Sequence, residues 1–193
     1  MTVSVLLFRT MSTRGIRHNL STQQMKIKPV PLTSASFAPY GDVIEPEAAR
    51  ETRTINDGHT LRFHDLATLS LGAGGGIPLL NIFRSTPLKL PLSLSIMERH
   101  PLSSQAFIPL SDNPYLVIVA PPGELDESKI QVFKASAKQG VNYHPGTWHH
   151  YSLALEGVSD FLVVDRGSPQ ADPDIEEENC DEVTLSQPIE IQL

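Results

Sequence analysis

Two runs decide the fold: Leu92-Ser-Leu-Ser-Ile-Met-Glu-Arg-His100, and Tyr115-Leu-Val-Ile-Val-Ala120 with the closing turn Pro121-Pro122-Gly123. Alternate side chains of an extended strand share one face, so Leu92, Leu94, Ile96, Glu98 and His100 are expected on the same side. The second run is continuously apolar and ends at a turn signal, which reads as a short, buried strand. Outward from these runs, punctuation recurs at Gly41-Asp42, Asn56-Asp57-Gly58, Gly72 to Gly76, Ser111 to Pro114, Pro145-Gly146, Glu156-Gly157 and Arg166-Gly167. Further apolar runs, Leu79 to Phe83 and Phe161 to Val164, lie between these turns. Short strands at such spacing predict an all-β sandwich or barrel. Helix is expected to be scarce: one turn capped by Thr33 or Ser34 before Pro39, and a weak one in Asp174 to Asn179.

Composition sets the outer bounds. A chain of 193 residues is long enough for one domain with a proper core. Its net charge of −7 argues against a general nucleic-acid-binding role. The apolar stretch Val3 to Phe8 is too short to span a bilayer, so no membrane role is expected. The single cysteine, Cys180, permits neither an intramolecular disulfide nor a cysteine-based zinc cluster, and a reducing, cytoplasmic setting is the expectation. Residues 1–24 carry three arginines and no acid, which leaves −10 on the remainder. They read as an N-terminal extension outside the fold, either upstream of the native start or an organelle-targeting leader. Residues 25–193 read as one domain, with an acidic, loosely packed tail over Pro169 to Glu182.

Strand parity gathers titratable groups. Glu98 and His100 end one apolar face, His149 shares a face with Tyr151, Leu153 and Leu155, and Asp165 continues the Phe161 and Val163 face. Burying such groups unpaired costs several kcal/mol, so a site at the mouth of a barrel is the economical explanation. Glu98-x-His100-x4-Gln105, with His144-Pro145-Gly146-x2-His149-His150, supplies imidazole nitrogens and carboxylate or amide oxygens suited to a first-row divalent ion. The competing interpretation is a set of strand-end histidines satisfied by backbone. Among the arginines, Arg84 shares a face with Leu80 and Ile82 and points inward by parity, and Arg62 shares a face with His64. Arg99 lies opposite Glu98 and His100, toward solvent or a subunit. Asp165 can orient a histidine, and Tyr143 and Trp148 flank the histidine-bearing turn as pocket wall or core.

His100-x4-Gln105 and Pro145-Gly146-Thr147-Trp148-His149 resemble the two cupin motifs, HxHx4E and PxGxxH. Glu98 then takes the first His position, Gln105 the Glu position and His144 the Pro position. Residues Glu98 to Pro109, Gln139 to His144, Trp148-His149-His150 and Asp160 to Arg166 resemble the ureidoglycolate lyase family, formerly called ureidoglycolate hydrolase, of allantoin degradation. The resemblance extends to Tyr40-Gly41-Asp42-Val43-Ile44 and Arg62-Phe63-His64-Asp65-Leu66, and so covers about residues 25–168. It implies a jelly-roll-type, cupin-like β-barrel, cleavage of ureidoglycolate into glyoxylate and urea, a homodimer, and assistance by a divalent metal, nickel or manganese ahead of zinc. His100, Gln105, His149 and Glu98 would hold the metal. His144, His149 and Glu98 would move protons, and Arg84, Arg62, Asp165 and Tyr143 would bind substrate. Rival readings are an amidohydrolase releasing ammonia, a non-catalytic carboxylate-binding sensor, and an iron-dependent oxygenase.

Overall fold

The computed structural model describes residues 24–89, 91–168 and 179–193. Its strands are β1 (Lys26–Ile27), β2 (Val30–Pro31), β3 (Gly41–Ile44), β4 (Glu51–Ile55), β5 (Thr60–His64), β6 (Ile77–Ser85), β7 (Leu92–Arg99), β8 (Gln105–Pro109), β9 (Tyr115–Ala120), β10 (Gln131–Ala135), β11 (Gly140–Tyr143), β12 (Trp148–His149), β13 (Leu153–Ala154), β14 (Ser159–Gly167) and β15 (Asp181–Ile191). One α-helical turn, Ser34–Phe37, is capped by Thr33, whose Oγ1 accepts the Ser36 N–H at 3.2 Å. The expected weak helix at Asp174 to Asn179 falls mostly outside the described residues, and Asn179 itself lies in a turn. No helix among the described residues is long and apolar enough to cross a membrane.

An eight-stranded sheet runs β1-β15-β7-β12-β9-β10-β2, with β13 also paired to β9. It faces a five-stranded sheet ordered β3-β11-β8-β14-β6. The strand-rich fold has a strongly curled sheet that forms a half-barrel, so the all-β, cupin-like expectation holds. Phe107, Val141, Tyr143, Phe161 and Val163 from the smaller sheet pack with Tyr115, Val117, Val119 and Phe133 from the larger one. A second cluster lies on the other side of the larger sheet, where Leu116, Ile118, Val132, Trp148 and Ile189 meet. Strand β9 therefore feeds both clusters, its odd residues one and its even residues the other, and all six are buried. That double burial explains why the run has no polar alternation.

Two expectations are corrected here. Leu92 and Leu94 do not share a face with Glu98: they pack with Met97 in the second cluster. The change of side falls where the ladder with β15 shifts register, between Thr184 and Ile189, opposite Ile96 and Leu94. The acidic excursion also ends before Glu182, because Asn179 is buried and Asp181 opens β15, whose Leu185, Ile189 and Ile191 are core residues. Residues 169–178, and 1–23 of the N-terminal extension, lie outside the described residues.

Candidate active site

The site occupies one end of the space between the two sheets. In the larger sheet, Glu98 of β7 stands opposite His149 of β12, and His149 stands opposite Val119 of β9. Val119 belongs to the intersheet core, so this row of side chains faces the smaller sheet. There Gln105 of β8 stands opposite Tyr143 of β11. The Tyr143 and His149 rings stack, with centroids 4.3 Å apart and planes 15° apart. His100 follows β7 directly, its ring centroid 5.1 Å from that of His149.

The turn before His149 has a simple sequence logic. In His144-Pro145-Gly146-Thr147, Pro145 fixes the second position and Gly146 has φ +77°, the combination of a type II turn. Thr147 N–H closes it onto the His144 carbonyl at 3.0 Å, and Gly146 N–H donates to the His100 carbonyl at 2.9 Å. Thr147 Oγ1–H donates to the Tyr40 carbonyl at 2.9 Å. The two histidine-bearing segments are thus bonded to each other through backbone.

Backbone carbonyls also fix which imidazole nitrogen carries the proton. His149 Nδ1 lies 3.0 Å from the Thr147 carbonyl, and His100 Nδ1 lies 2.8 Å from the Asn179 carbonyl. A carbonyl only accepts, so both rings carry the proton at Nδ1 and present a lone pair at Nε2. His149 Nε2 points to Gln105 Oε1 at 3.2 Å and to Glu98 Oε1 at 3.6 Å. Burial, then the neighbouring His100, pushes the His149 pKa down to about 3, so the ring is neutral at ordinary pH. Burial, then the Glu98 carboxylate, raises the Tyr143 phenol, and burial lowers His150.

One ligand atom from each of Glu98, His100 and His149 lies within 4.8 Å of the others. A carboxylate, two imidazole lone pairs and an amide oxygen converging on one point form a set of acceptors. A cation or a shared proton completes such a set, and mixed N and O donors suit a first-row divalent ion. The ligand chemistry therefore fits the expected metal.

Residues 24–192 match the family model described as ureidoglycolate lyase. The chain belongs to the ureidoglycolate lyase family. Relatives carrying that name include one from Burkholderia mallei (strain NCTC 10229), 58% identical over 137 residues, covering 71% of this chain and 80% of the relative. Another, from Burkholderia cepacia, is 51% identical over 155 residues, covering 80% and 83%. A third, from Pseudomonas entomophila (strain L48), is 46% identical over 153 residues, covering 79% and 87%.

Against this family background, the expected site residues divide. Glu98, His100, Gln105, Tyr143 and His149 come together. His144 does not join them: its Nε2 lies 3.2 Å from Asp42 Oδ2, and with Ser34 and Arg50 it lines a cavity of about 170 Å³ that none of those five residues touches. The reason is parity, because Tyr143 faces inward and its neighbour turns away. Arg84 is corrected as well. Strand β6 is the edge of its sheet, and Arg84 is exposed and clamped on Asp160, with Nε and Nη2 donating at 2.7 and 2.8 Å. Arg62 sits exposed on the two-stranded β4–β5 sheet. Asp165 continues the buried Phe161 and Val163 face as expected, and accepts a hydrogen bond from Asn81 Nδ2 at 3.0 Å. Arg99 stacks over the Trp148 indole, 4.5 Å from its centroid, and pairs with Asp181. Asn179, which sets the His100 tautomer, carries no signal in the sequence, since it is 79 residues from its partner.

Proposed function

We propose that this lyase-family chain splits ureidoglycolate into glyoxylate and urea, with Glu98 as the proton carrier. The observation that carries the reading is the Glu98 carboxylate set against the unprotonated Nε2 of His149, beside Gln105, in a cup walled by Tyr143 and apolar core. In ureidoglycolate one carbon bears a hydroxyl, a carboxylate and a urea nitrogen. Removing the hydroxyl proton allows a C=O bond to form as the C–N bond breaks, and the departing nitrogen takes a proton to give urea. The reaction moves one proton from oxygen to nitrogen and consumes no water, so no activated nucleophile is required. A single carboxylate that accepts and then returns that proton meets the balance. His149, neutral and proton-bearing only at Nδ1, offers the Nε2 lone pair to a substrate N–H or to a bound ion and leaves the hydroxyl proton to Glu98. It is not an acid at neutral pH. Tyr143 fixes the plane of the His149 ring and closes the cup from the smaller sheet.

Glu98, His100 and His149, with the Gln105 amide oxygen beside them, are the residues that would hold a divalent ion, nickel or manganese ahead of zinc. Bound there, such an ion would stabilise negative charge developing on the substrate oxygen. The test is a product assay on protein stripped with a chelator and re-supplied with nickel, manganese or zinc. Urea and glyoxylate are expected in equal amounts, with turnover falling at least tenfold on stripping and recovering with nickel or manganese. Ammonia without urea would replace the lyase reading with an amidohydrolase. Carboxylate binding without turnover under any ion would make the protein a sensor.

The small-molecule reading extends to a homodimer. Edge strand β6 exposes Leu80 (72%) and Ile82 (56%). The β4–β5 sheet exposes Leu61 and Phe63, although an isolated two-stranded sheet is marginally stable in water. Open apolar edges of this kind are ordinarily covered. Sedimentation is expected to give a dimer, and the double substitution Leu80→Asp with Ile82→Asp a folded monomer. An unchanged mass for that variant would move the interface elsewhere.

A further inference from the structure

Asn179 is 4% exposed and makes three contacts with the segment that follows β7. Its carbonyl accepts the His100 Nδ1–H at 2.8 Å. Its side-chain Oδ1 accepts the Leu102 N–H at 2.8 Å, and its Nδ2 donates to Ser103 Oγ at 2.8 Å. The amide offers an acceptor to the backbone N–H and a donor to the hydroxyl oxygen, and that hydroxyl can itself donate to a second acceptor. The chain just beyond is also fixed, because Asp181 stands opposite Arg99 in the β15–β7 ladder and pairs with its guanidinium at 2.8 Å. Asn179 is thus held from one side by the ladder and grips the 100–103 turn from the other.

We propose that Asn179 is a positioning residue of this site: it holds the His100 ring in the Nδ1–H form, with Nε2 committed to the Glu98–His149 cluster. The side chain fixes where the Asn179 carbonyl sits relative to the turn, and the carbonyl fixes the ring. Outer partners of this kind orient imidazoles, and their loss typically costs about 10- to 100-fold in activity or metal affinity. The kinetic consequence rests on the lyase reading, whereas the imidazole geometry does not.

The experiment uses the full-length, metal-free protein with ¹⁵N-labelled histidine, the His100 ring being assigned by comparison with His100→Gln. Two-bond ¹H–¹⁵N spectra report the tautomer, and kcat and KM are measured for wild type, Asn179→Ala and Asn179→Asp after re-supply with nickel or manganese. Wild type is expected to show the Nδ1–H form alone. Asn179→Ala should show both tautomers and a kcat at least tenfold lower, with KM changed less than threefold. Asn179→Asp keeps acceptors for the Leu102 N–H and the Ser103 hydroxyl, so it should restore the single tautomer. Should Asn179→Ala fail to fold, Ser103→Ala removes one of the two side-chain contacts and is expected to mix the tautomers partially. A single Nδ1–H form in Asn179→Ala would overturn the proposal whatever happens to kcat. Wild type without urea release would instead remove the lyase reading and leave the tautomer result standing.

Discussion

Glu98→Gln is expected to lower kcat by about 10²- to 10⁴-fold, the usual contribution of a positioned acid or base. That corresponds to about 3–5 kcal/mol of lost transition-state stabilisation. The substitution keeps the side chain's shape and one oxygen while removing its ability to accept and return a proton. Glu98 is half-buried in β7, and its partner across the ladder, His149, retains the Thr147 hydrogen bond and the Tyr143 stack. The fold therefore has little to lose, and the melting temperature should move by only a few degrees. As the proton carrier Glu98 acts in the chemical step, so KM should stay within a few-fold. Steady-state urea and glyoxylate release, with a thermal melt alongside, checks all three. A kcat within tenfold of wild type would remove Glu98 as the proton carrier.

A second large effect concerns acid. In the folded protein His149 titrates at about 3, against 6.5 in an unsheltered ring. A histidine with a lowered folded pKa takes up its proton on unfolding, so between pH 6.5 and 3 the unfolded chain binds more protons than the native one. Stability therefore rises with pH across that window and falls as acid is added. Carried down to pH 3, the difference amounts to about 5 kcal/mol, a large share of a domain's stability. His150, also lowered by burial, acts with the same sign. Denaturant midpoints of chelator-treated protein at pH 7, 5 and 4 should fall steadily, and His149→Gln should flatten much of that slope. An equal slope in both proteins would show that other groups govern the acid response.

Much of this architecture is legible in single runs of residues. Tyr115 to Ala120 reads as a buried strand because its neighbours cover both faces, and Phe161, Val163 and Asp165 alternate as an uninterrupted strand must. The meeting of Glu98 with His149 is legible for the same reason, since both end strands near polar turns. Other features depend on partners that no local pattern reveals. Leu92 and Leu94 change sides where the ladder with the distant β15 shifts register. Arg84 reads as inward from the apolar Leu80 and Ile82 on its face, yet that face is the exposed one, and Phe83 packs on Phe107 from the other. His144 and His149 look like a pair aimed by one turn, yet the first lies one residue beyond an inward tyrosine and goes to Asp42. The fixed proton on His100 depends on Asn179, brought in by the pairing of β15 with β7.

The double commitment of β9 limits how the molecule can breathe. Val117 and Val119 belong to the core beneath the cup, and Leu116 and Ile118 to the core behind it. Bending β9 to admit a guest would disturb both cores at once. Traffic into and out of the cup therefore falls to the connecting loops at its rim, which can shift while the walls stay rigid.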